Sequence, residues 1–169
     1  MKQIQLINDD YSGRVEHLRH ACRGVLVHDG KVLLGYETNY DKYIIPGGGV
    51  EGDETFAGCC EREMLEETGM AVRATQEFVQ IEELFEDWRH ICHYFVCELL
   101  ENTGSLHLTE AEEEAGCISA WIPLEKAVEI FGQYEKFHKD NIADYGLYRR
   151  EYRALKEYTE FIQDPARTP

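Results

Sequence analysis

The chain has 169 residues, of which 17 are lysine or arginine and 33 are aspartate or glutamate, so its formal net charge is −16. This acidity excludes the usual nucleic-acid binder, which needs a basic stripe to displace phosphate counterions, and it disfavours docking on acidic lipid. No stretch approaches the roughly 20 apolar residues of a membrane span, and the N-terminus turns acidic too early for a signal peptide. We therefore expect a cytoplasmic protein that has neither a nucleic-acid nor a membrane partner.

Strands dominate the first two thirds of the chain, after an opening dozen residues that look like a loose arm. Asp29-Gly30 is typical of a tight hairpin turn between the first two strands. The glycine run 47–49 is not expected to be a strand, because glycines favour close backbone approach to a ligand. In chain order, the predicted strands span residues 21–27, 32–36, 43–45, 78–85, 90–99 and 118–122.

Helices are predicted over residues 55–68, for a short stretch after Leu124, and over 142–163. Asp53 or Thr55 can cap the first of these helices and Gly69 can end it. The last helix carries one apolar stripe, which would pack on the domain or on a second subunit, so a homodimer is one way to cover it. The stripe consists of Tyr148, Tyr152, Leu155, Tyr158 and Ile162.

The fold class that these elements predict is an α/β/α sandwich on a mixed β-sheet with an added C-terminal helix. Several strands are apolar on both faces, so helices should cover both sides of the sheet. We expect an N-terminal arm at residues 1–18, a central domain at 19–135 and a C-terminal helical extension at 136–169. The six cysteines include no Cys-x-x-Cys pair and should be reduced and mostly buried.

Three glutamates form an acidic cluster on the helix predicted at 55–68. Glu63, Glu66 and Glu67 stand at i, i+3 and i+4, so their side chains share one face. Hard oxygen ligands beside a glycine loop suit Mg²⁺ or Mn²⁺, and phosphate commonly completes the coordination of protein-bound Mg²⁺. The alternative is an ordinary solvated acidic face. The spacing of the neighbouring residues decides against that alternative.

This spacing resembles the Nudix box of the Nudix hydrolase family. The residues at its fixed positions are Gly48, Glu54, Arg62, Glu63, Met64, Glu66, Glu67, Gly69 and Met70. The likeness extends over about residues 19–131, because the surrounding strand order also looks like the family's fold. It implies a Nudix-type sandwich and a metal-dependent enzyme. The family hydrolyses a nucleoside diphosphate linked to a further group X, by attack of water on a phosphoanhydride bond.

The resemblance also implies roles for individual residues. Glu63, Glu66 and Glu67 would hold Mg²⁺ or Mn²⁺ together with the backbone carbonyl of Gly48. Glu63 would be the first candidate to orient or deprotonate the attacking water. Arg62, counted with the catalytic residues, would pair with Glu54 and hold helix and loop together. Met64 would pack in the core.

Some family members use one more carboxylate, a few residues before a Trp-hydrophobic-Pro-Leu segment. The matching segment here is 121–124, and the acidic run before it favours Glu114, with Glu113 as the next choice. A solvated acidic loop is the alternative.

The substrate is less defined by the sequence, and a nucleoside triphosphate or a related nucleotide is expected. Arg23 could contact phosphate, and Tyr36, Phe85 and Trp88 could stack on a base or sugar, although such aromatics are more often core or rim residues. Two other function classes stay open on the same scaffold. One is a nucleotide sensor without hydrolysis, and the other is an isoprenoid diphosphate isomerase, which needs a catalytic cysteine.

Overall fold

The computed structural model describes residues 1–164 of the chain. Its strands are β1 (Lys2–Ile7), β2 (His17–His28), β3 (Lys31–Glu37), β4 (Lys42–Ile44), β5 (Gly47–Gly49), β6 (Met70–Phe85), β7 (Trp88–Asn102) and β8 (Cys117–Pro123). Its helices are α1 (Phe56–Thr68), α2 (Glu110–Ala115), α3 (Leu124–Gly132) and α4 (Ile142–Gln163), with a 3-10 turn at Tyr134–Phe137.

The strands of this part of the chain form one eight-stranded mixed sheet in the order β1-β6-β7-β2-β3-β4, with β5 paired to β2 and β8 to β3. β1 runs parallel to β6 and β2 runs parallel to β7, whereas the other pairs are antiparallel. One apolar cluster lies between the sheet and α1, and a second lies between the sheet and the α3–α4 layer. The predicted α/β/α sandwich on a mixed sheet is therefore confirmed.

Local sequence signals determine several of these elements. Asp29 and Gly30 both have positive φ, 48° and 72°, as a tight hairpin between right-twisted strands requires. The Thr55 hydroxyl accepts the first capping hydrogen bond of α1 from Gly58 N–H at 3.0 Å. Gly69 ends that helix in the left-handed region, at φ 69°. The predicted hairpin and helix ends are thus confirmed.

Two predictions about the backbone were wrong. The glycine run is strand β5, which pairs with residues 21–23 of β2, and its first glycine approaches β2 too closely for any side chain. A Cβ at Gly47 would lie 2.0 Å from the carbonyl oxygen of Cys22. The loose arm contains β1, which pairs with residues 79–84 and is tied by Lys2 Nζ to a Glu157 carboxylate oxygen at 2.8 Å.

Helix α4 packs on the sheet of its own chain. Tyr148, Leu155 and Tyr158 of the apolar stripe are buried there, and the Tyr158 ring meets that of Phe78 at 5.6 Å between centroids. The stripe therefore needs no second subunit, and the homodimer stays a prediction without this support. Residues 165–169 of the predicted extension lie outside the described residues. None of the described helices is long and apolar enough to cross a membrane.

A buried charge network lies between α4 and the sheet. The Arg150 guanidinium donates to Glu83 at 2.7 Å, to Glu151 at 2.7 Å and to the Tyr94 hydroxyl at 3.0 Å. Arg150, Glu83 and Glu151 are each at most 5% exposed. Burying charge is costly unless it is paired, so this network tolerates substitution poorly.

Replacing Arg150 with methionine should lower the free energy of unfolding by about 3 kcal/mol or more, because Glu83 loses its buried cation and Glu151 loses the nearer of two. Urea unfolding followed by circular dichroism measures this change. Arg153→Met is the control, since Arg153 is an exposed arginine on the same helix. Equal effects of the two substitutions would contradict a stabilising network.

His90 should make stability depend on pH. Burial, followed by the charge of Arg150, lowers the pKa of His90 to about 2. The unfolded chain, with a histidine pKa near 6.5, therefore binds a proton that the folded chain does not, and stability falls as pH drops below that value. At pH 5 the loss is about 2 kcal/mol relative to neutral pH. Urea unfolding at both pH values should show a smaller loss for His90→Gln, and an identical loss would contradict the assignment.

Candidate active site

Helix α1 and the glycine loop face each other across an open cleft of about 360 Å³. Its walls are the loop residues 47–51, the α1 side chains Arg62, Glu63, Glu66 and Glu67, and four residues from other parts of the chain, Arg19, His107, Thr109 and Glu112. The structure thus brings together the carboxylates and the glycine that were predicted to hold metal. Met64, on the opposite side of α1, is fully buried as predicted.

Arg62 is the hub of the acidic cluster. Its guanidinium contacts both carboxylate oxygens of Glu54, at 2.8 and 3.1 Å, which joins α1 to the loop before it. It also donates to Glu63 at 2.8 Å, to Glu66 at 3.1 Å and to the Gly49 carbonyl at 3.1 Å. This pairing with Arg62 lowers the pKa of Glu54 to about 2. One cation therefore offsets much of the like-charge repulsion on this helix face.

The two inner carboxylates are held by the glycine loop. Gly47 N–H donates to Glu67 Oε2 at 3.0 Å, and a Cβ on Gly48 would lie 2.4 Å from Glu63 Oε1. Only glycine at position 48 lets the loop backbone approach Glu63 this closely. Burial raises the pKa of Glu63, and burial raises the pKa of Glu67 to about 8. The positive charge near these two carboxylates is therefore too small to offset the cost of burying their ionised forms.

The donor set fits a divalent cation. Glu63, Glu66, Glu67 and the Gly48 carbonyl offer only hard oxygen atoms, the ligand type of Mg²⁺ and Mn²⁺. Residues 1–164 contain no ready-formed group of three or more acidic, histidine or cysteine ligands, and Arg62 lies against Glu63 and Glu66. Arg62 contacts Glu63 Oε1 and Glu66 Oε2, so a bound cation would share these two carboxylates with Arg62 or replace it there, while the Arg62–Glu54 contact could persist.

Of the acidic run at 110–114, Glu112 lines this cleft, whereas the predicted Glu114 and its runner-up Glu113 do not. Glu114 is exposed, and its backbone carbonyl accepts from the Asn39 side chain at 2.7 Å. Glu112 is half-buried and forms a reciprocal capping box with Thr109 at the start of α2. Helix α2 was not predicted, although the Thr-x-x-Glu pattern at 109–112 is a sequence signal for the start of a helix.

The residues predicted to bind substrate lie apart from the cleft. Arg23 is 7% exposed, donates to the Ile45 carbonyl at 2.6 Å and approaches Glu151 at 3.5 Å. Tyr36 donates its hydroxyl to Asp41 at 2.8 Å. Phe85 and Trp88 stack at 6.5 Å beside the β6–β7 turn, and Phe85 lines a second cavity.

Sequence reasoning missed two basic residues that line the cleft. Arg19 on β2 and His107 before α2 are exposed and line it. The sequence analysis instead predicted a phosphate contact for Arg23, which lies four residues further along β2. Alternation along a strand gives no means of choosing between two arginines on one face.

The NUDIX domain profile matches residues 18–145 of this chain. The chain belongs to the NUDIX family. The matched residues therefore include both the Nudix box and the start of α4. Hydrolases of this family generally use divalent metal ions.

Curated relatives carry phosphohydrolase names. The mouse diphosphoinositol polyphosphate phosphohydrolase 3-alpha is 28% identical over 113 residues, which cover 66% of each chain. The rat diphosphoinositol polyphosphate phosphohydrolase 2 is also 28% identical over 113 residues, 66% of this chain and 60% of the relative. The chain thus matches slightly less than two thirds of the length of these relatives.

Solved structures share the fold at low identity. The E. coli ORF135 protein has a TM-score of 0.59 at 17% identity, covering 89% of this chain and 95% of its own. An ADP-ribose pyrophosphatase from Streptococcus suis has a TM-score of 0.55 at 16% identity, with coverages of 87% and 93%. A UDP-X diphosphatase has a TM-score of 0.58 at 16% identity, with coverages of 84% and 63%.

The Arg62 hub predicts a stability cost for a conservative change. Arg62→Lys should lower the free energy of unfolding by about 1–3 kcal/mol, because lysine cannot bridge Glu54, Glu63 and Gly49 with one planar group. Urea unfolding measures the effect. Arg73→Lys is the matched control, since Arg73 is exposed and its guanidinium lies 3.9 Å from Glu98. A hub role is refuted if both variants unfold alike.

Proposed function

We propose that this chain is a divalent-metal-dependent pyrophosphohydrolase that cleaves a phosphoanhydride bond in a nucleoside diphosphate linked to X, with a nucleoside triphosphate or a related nucleotide as substrate. The observation that carries the proposal is the set of three glutamates packed against a glycine loop in an open cleft. Two of these glutamates have pKa values raised by burial. Such carboxylates gain most from a cation, and phosphate oxygens can complete its coordination.

Glu63, Glu66, Glu67 and the Gly48 carbonyl would hold the cation. When bound, a divalent cation neutralises the charge of the substrate phosphates and activates the attacking water. Glu63 is our candidate base because it lies against the loop and its raised pKa favours taking up a proton. Arg62 and Glu54 hold the helix and the loop in register, so that these groups keep their geometry.

Arg19 and His107 would assist by contacting phosphate oxygens. Both are exposed at the cleft, where most other charged side chains are acidic. A guanidinium binds phosphate oxygens in a bidentate manner. The curated relatives and two of the structural neighbours have names that refer to diphosphate-containing compounds, which agrees with a phosphoanhydride substrate.

Glu66→Gln tests the reaction. Purified protein with Mg²⁺ or Mn²⁺ is offered nucleoside triphosphates, oxidised nucleotides, dinucleotides, nucleotide sugars and diphosphoinositol polyphosphates, and phosphate or nucleotide release is measured. The wild-type protein should turn over at least one compound, and Glu66→Gln should be slower by at least about a hundredfold. Glu129→Gln, an exposed glutamate on α3, should retain full activity.

Undiminished hydrolysis by Glu66→Gln would refute the assigned site. Nucleotide binding without turnover under any metal would instead support the sensor alternative.

Metal dependence has its own test. Chelation with EDTA should abolish turnover, and added Mg²⁺ or Mn²⁺ should restore it. Electron paramagnetic resonance of Mn²⁺ should show binding that weakens by about tenfold or more in Glu67→Gln, because a ligand oxygen loses its charge. Full activity in EDTA, or unchanged Mn²⁺ affinity, would count against this ligand set.

A further inference from the structure

The chain segment that leads into the glycine loop, residues 43–47, is anchored by helix α4. At the loop end of this segment, Gly47 N–H donates to Glu67 Oε2 at 3.0 Å. At its other end, Tyr43 N–H donates to the Tyr148 hydroxyl of α4 at 3.1 Å. Tyr148 is buried, and a shielded amide loses more than an exposed one when its partner is removed. The entry to the loop therefore depends on a helix outside the Nudix box.

Arg23 of β2 provides a second anchor for the same segment. Its guanidinium Nη1 donates to the Ile45 carbonyl at 2.6 Å, and both residues are buried. Gly24 N–H donates to the next carbonyl, that of Pro46, at 3.0 Å. A Cβ on Gly47 would lie 2.9 Å from Arg23 Cγ, so the arginine side chain packs directly against the first glycine of the loop.

Helix α4 also fixes the position of Arg23. Arg23 Nε lies 3.5 Å from Glu151 Oε1, and the Glu151 side chain is fully buried. Glu151 in turn accepts from Arg150 at 2.7 Å and from the Tyr94 hydroxyl at 3.2 Å. A buried guanidinium must keep its charge paired, so Arg23 has few alternative positions.

The two anchors come from one face of α4 and act on one backbone segment. Tyr148 and Glu151 stand at i and i+3, which places them side by side on the helix. Other described residues line the hydrolytic cleft, so Arg23 and Tyr148 would influence it through the loop backbone.

We propose that Arg23 and Tyr148 are positioning residues for the glycine loop. They hold the segment before the loop, which keeps the Gly47 N–H on Glu67 and the Gly48 carbonyl at the cleft. Helix α4 is thereby part of the structure that sets the geometry of the metal site. This inference rests on the proposed function for the role of the Gly48 carbonyl as a metal ligand.

Exchange of the Gly47 amide proton tests the positioning without metal or substrate. It is followed by ¹H–¹⁵N NMR of the metal-free protein. Arg23→Met and Tyr148→Phe should each speed this exchange by about tenfold, because the loop opens locally more often. Arg23→Lys should lie between Arg23→Met and the wild type, since lysine keeps the charge but cannot bridge Ile45 and Glu151 with one planar group.

Mn²⁺ binding, measured by electron paramagnetic resonance, connects the loop to the cleft. The affinity should fall by about tenfold in Arg23→Met and by about threefold in Tyr148→Phe, as expected for partners that orient metal ligands. Tyr152→Phe is the matched control, because it makes the same change one turn further along α4, where the ring packs near Tyr134. It should bind Mn²⁺ like the wild type.

Tyr158→Leu separates positioning from general stability. It loosens α4 against Phe78, so it should unfold at a lower urea concentration while Gly47 exchange and Mn²⁺ affinity stay unchanged. The inference is overturned if Tyr158→Leu changes both readouts as much as Arg23→Met does. It is also overturned if Tyr148→Phe, which keeps the proposal testable should Arg23→Met fail to fold, changes neither readout.

Hydrolysis measured on the same proteins separates the two proposals. Turnover by the wild type, with Gly47 exchange and Mn²⁺ affinity unchanged in the Arg23 and Tyr148 variants, leaves the hydrolase intact and removes the positioning role. Faster Gly47 exchange in the variants of a protein that hydrolyses nothing supports the positioning role and removes the hydrolase.

Discussion

The close approach of a glycine backbone to both β2 and α1 is the constraint on which the site depends. Gly47 leaves no room for a side chain against Cys22, and Gly48 leaves none against Glu63. This contact places backbone groups, which are rigid and partly charged, next to carboxylates that would otherwise repel one another. The loop, the helix and the central strand thus form one unit, in which the position of each acidic side chain is determined by main-chain packing.

Sequence patterns were sufficient to predict the features that depend only on residues adjacent in the chain. The Asp29-Gly30 hairpin and the Thr55 and Gly69 helix ends follow from backbone preferences of single residues. The acidic face of α1 follows from helical spacing alone. These features carry most of the candidate site, so most of that site could be predicted from the sequence alone.

The remaining features depend on contacts between distant segments. β1 pairs in parallel with β6, about 75 residues away along the chain, so no turn or motif marks it. Whether Arg23 or Arg19 faces the cleft depends on which layer covers that part of the strand. The role of α4 was also out of reach, because its apolar stripe fits a partner subunit as well as its own sheet. Only the assembled sheet shows that α4 is one of the two covering layers.

Arg62 acts as an internal counterion for the glutamates of α1. Because Arg62 can neutralise Glu63 and Glu66 from within the chain, the acidic face remains compatible with the fold whether or not a cation is present. Displacing Arg62 also subtracts from the affinity of any incoming cation. A cation bound as proposed would therefore exchange readily and reversibly, unlike the metal of small zinc domains, which unfold when it is removed.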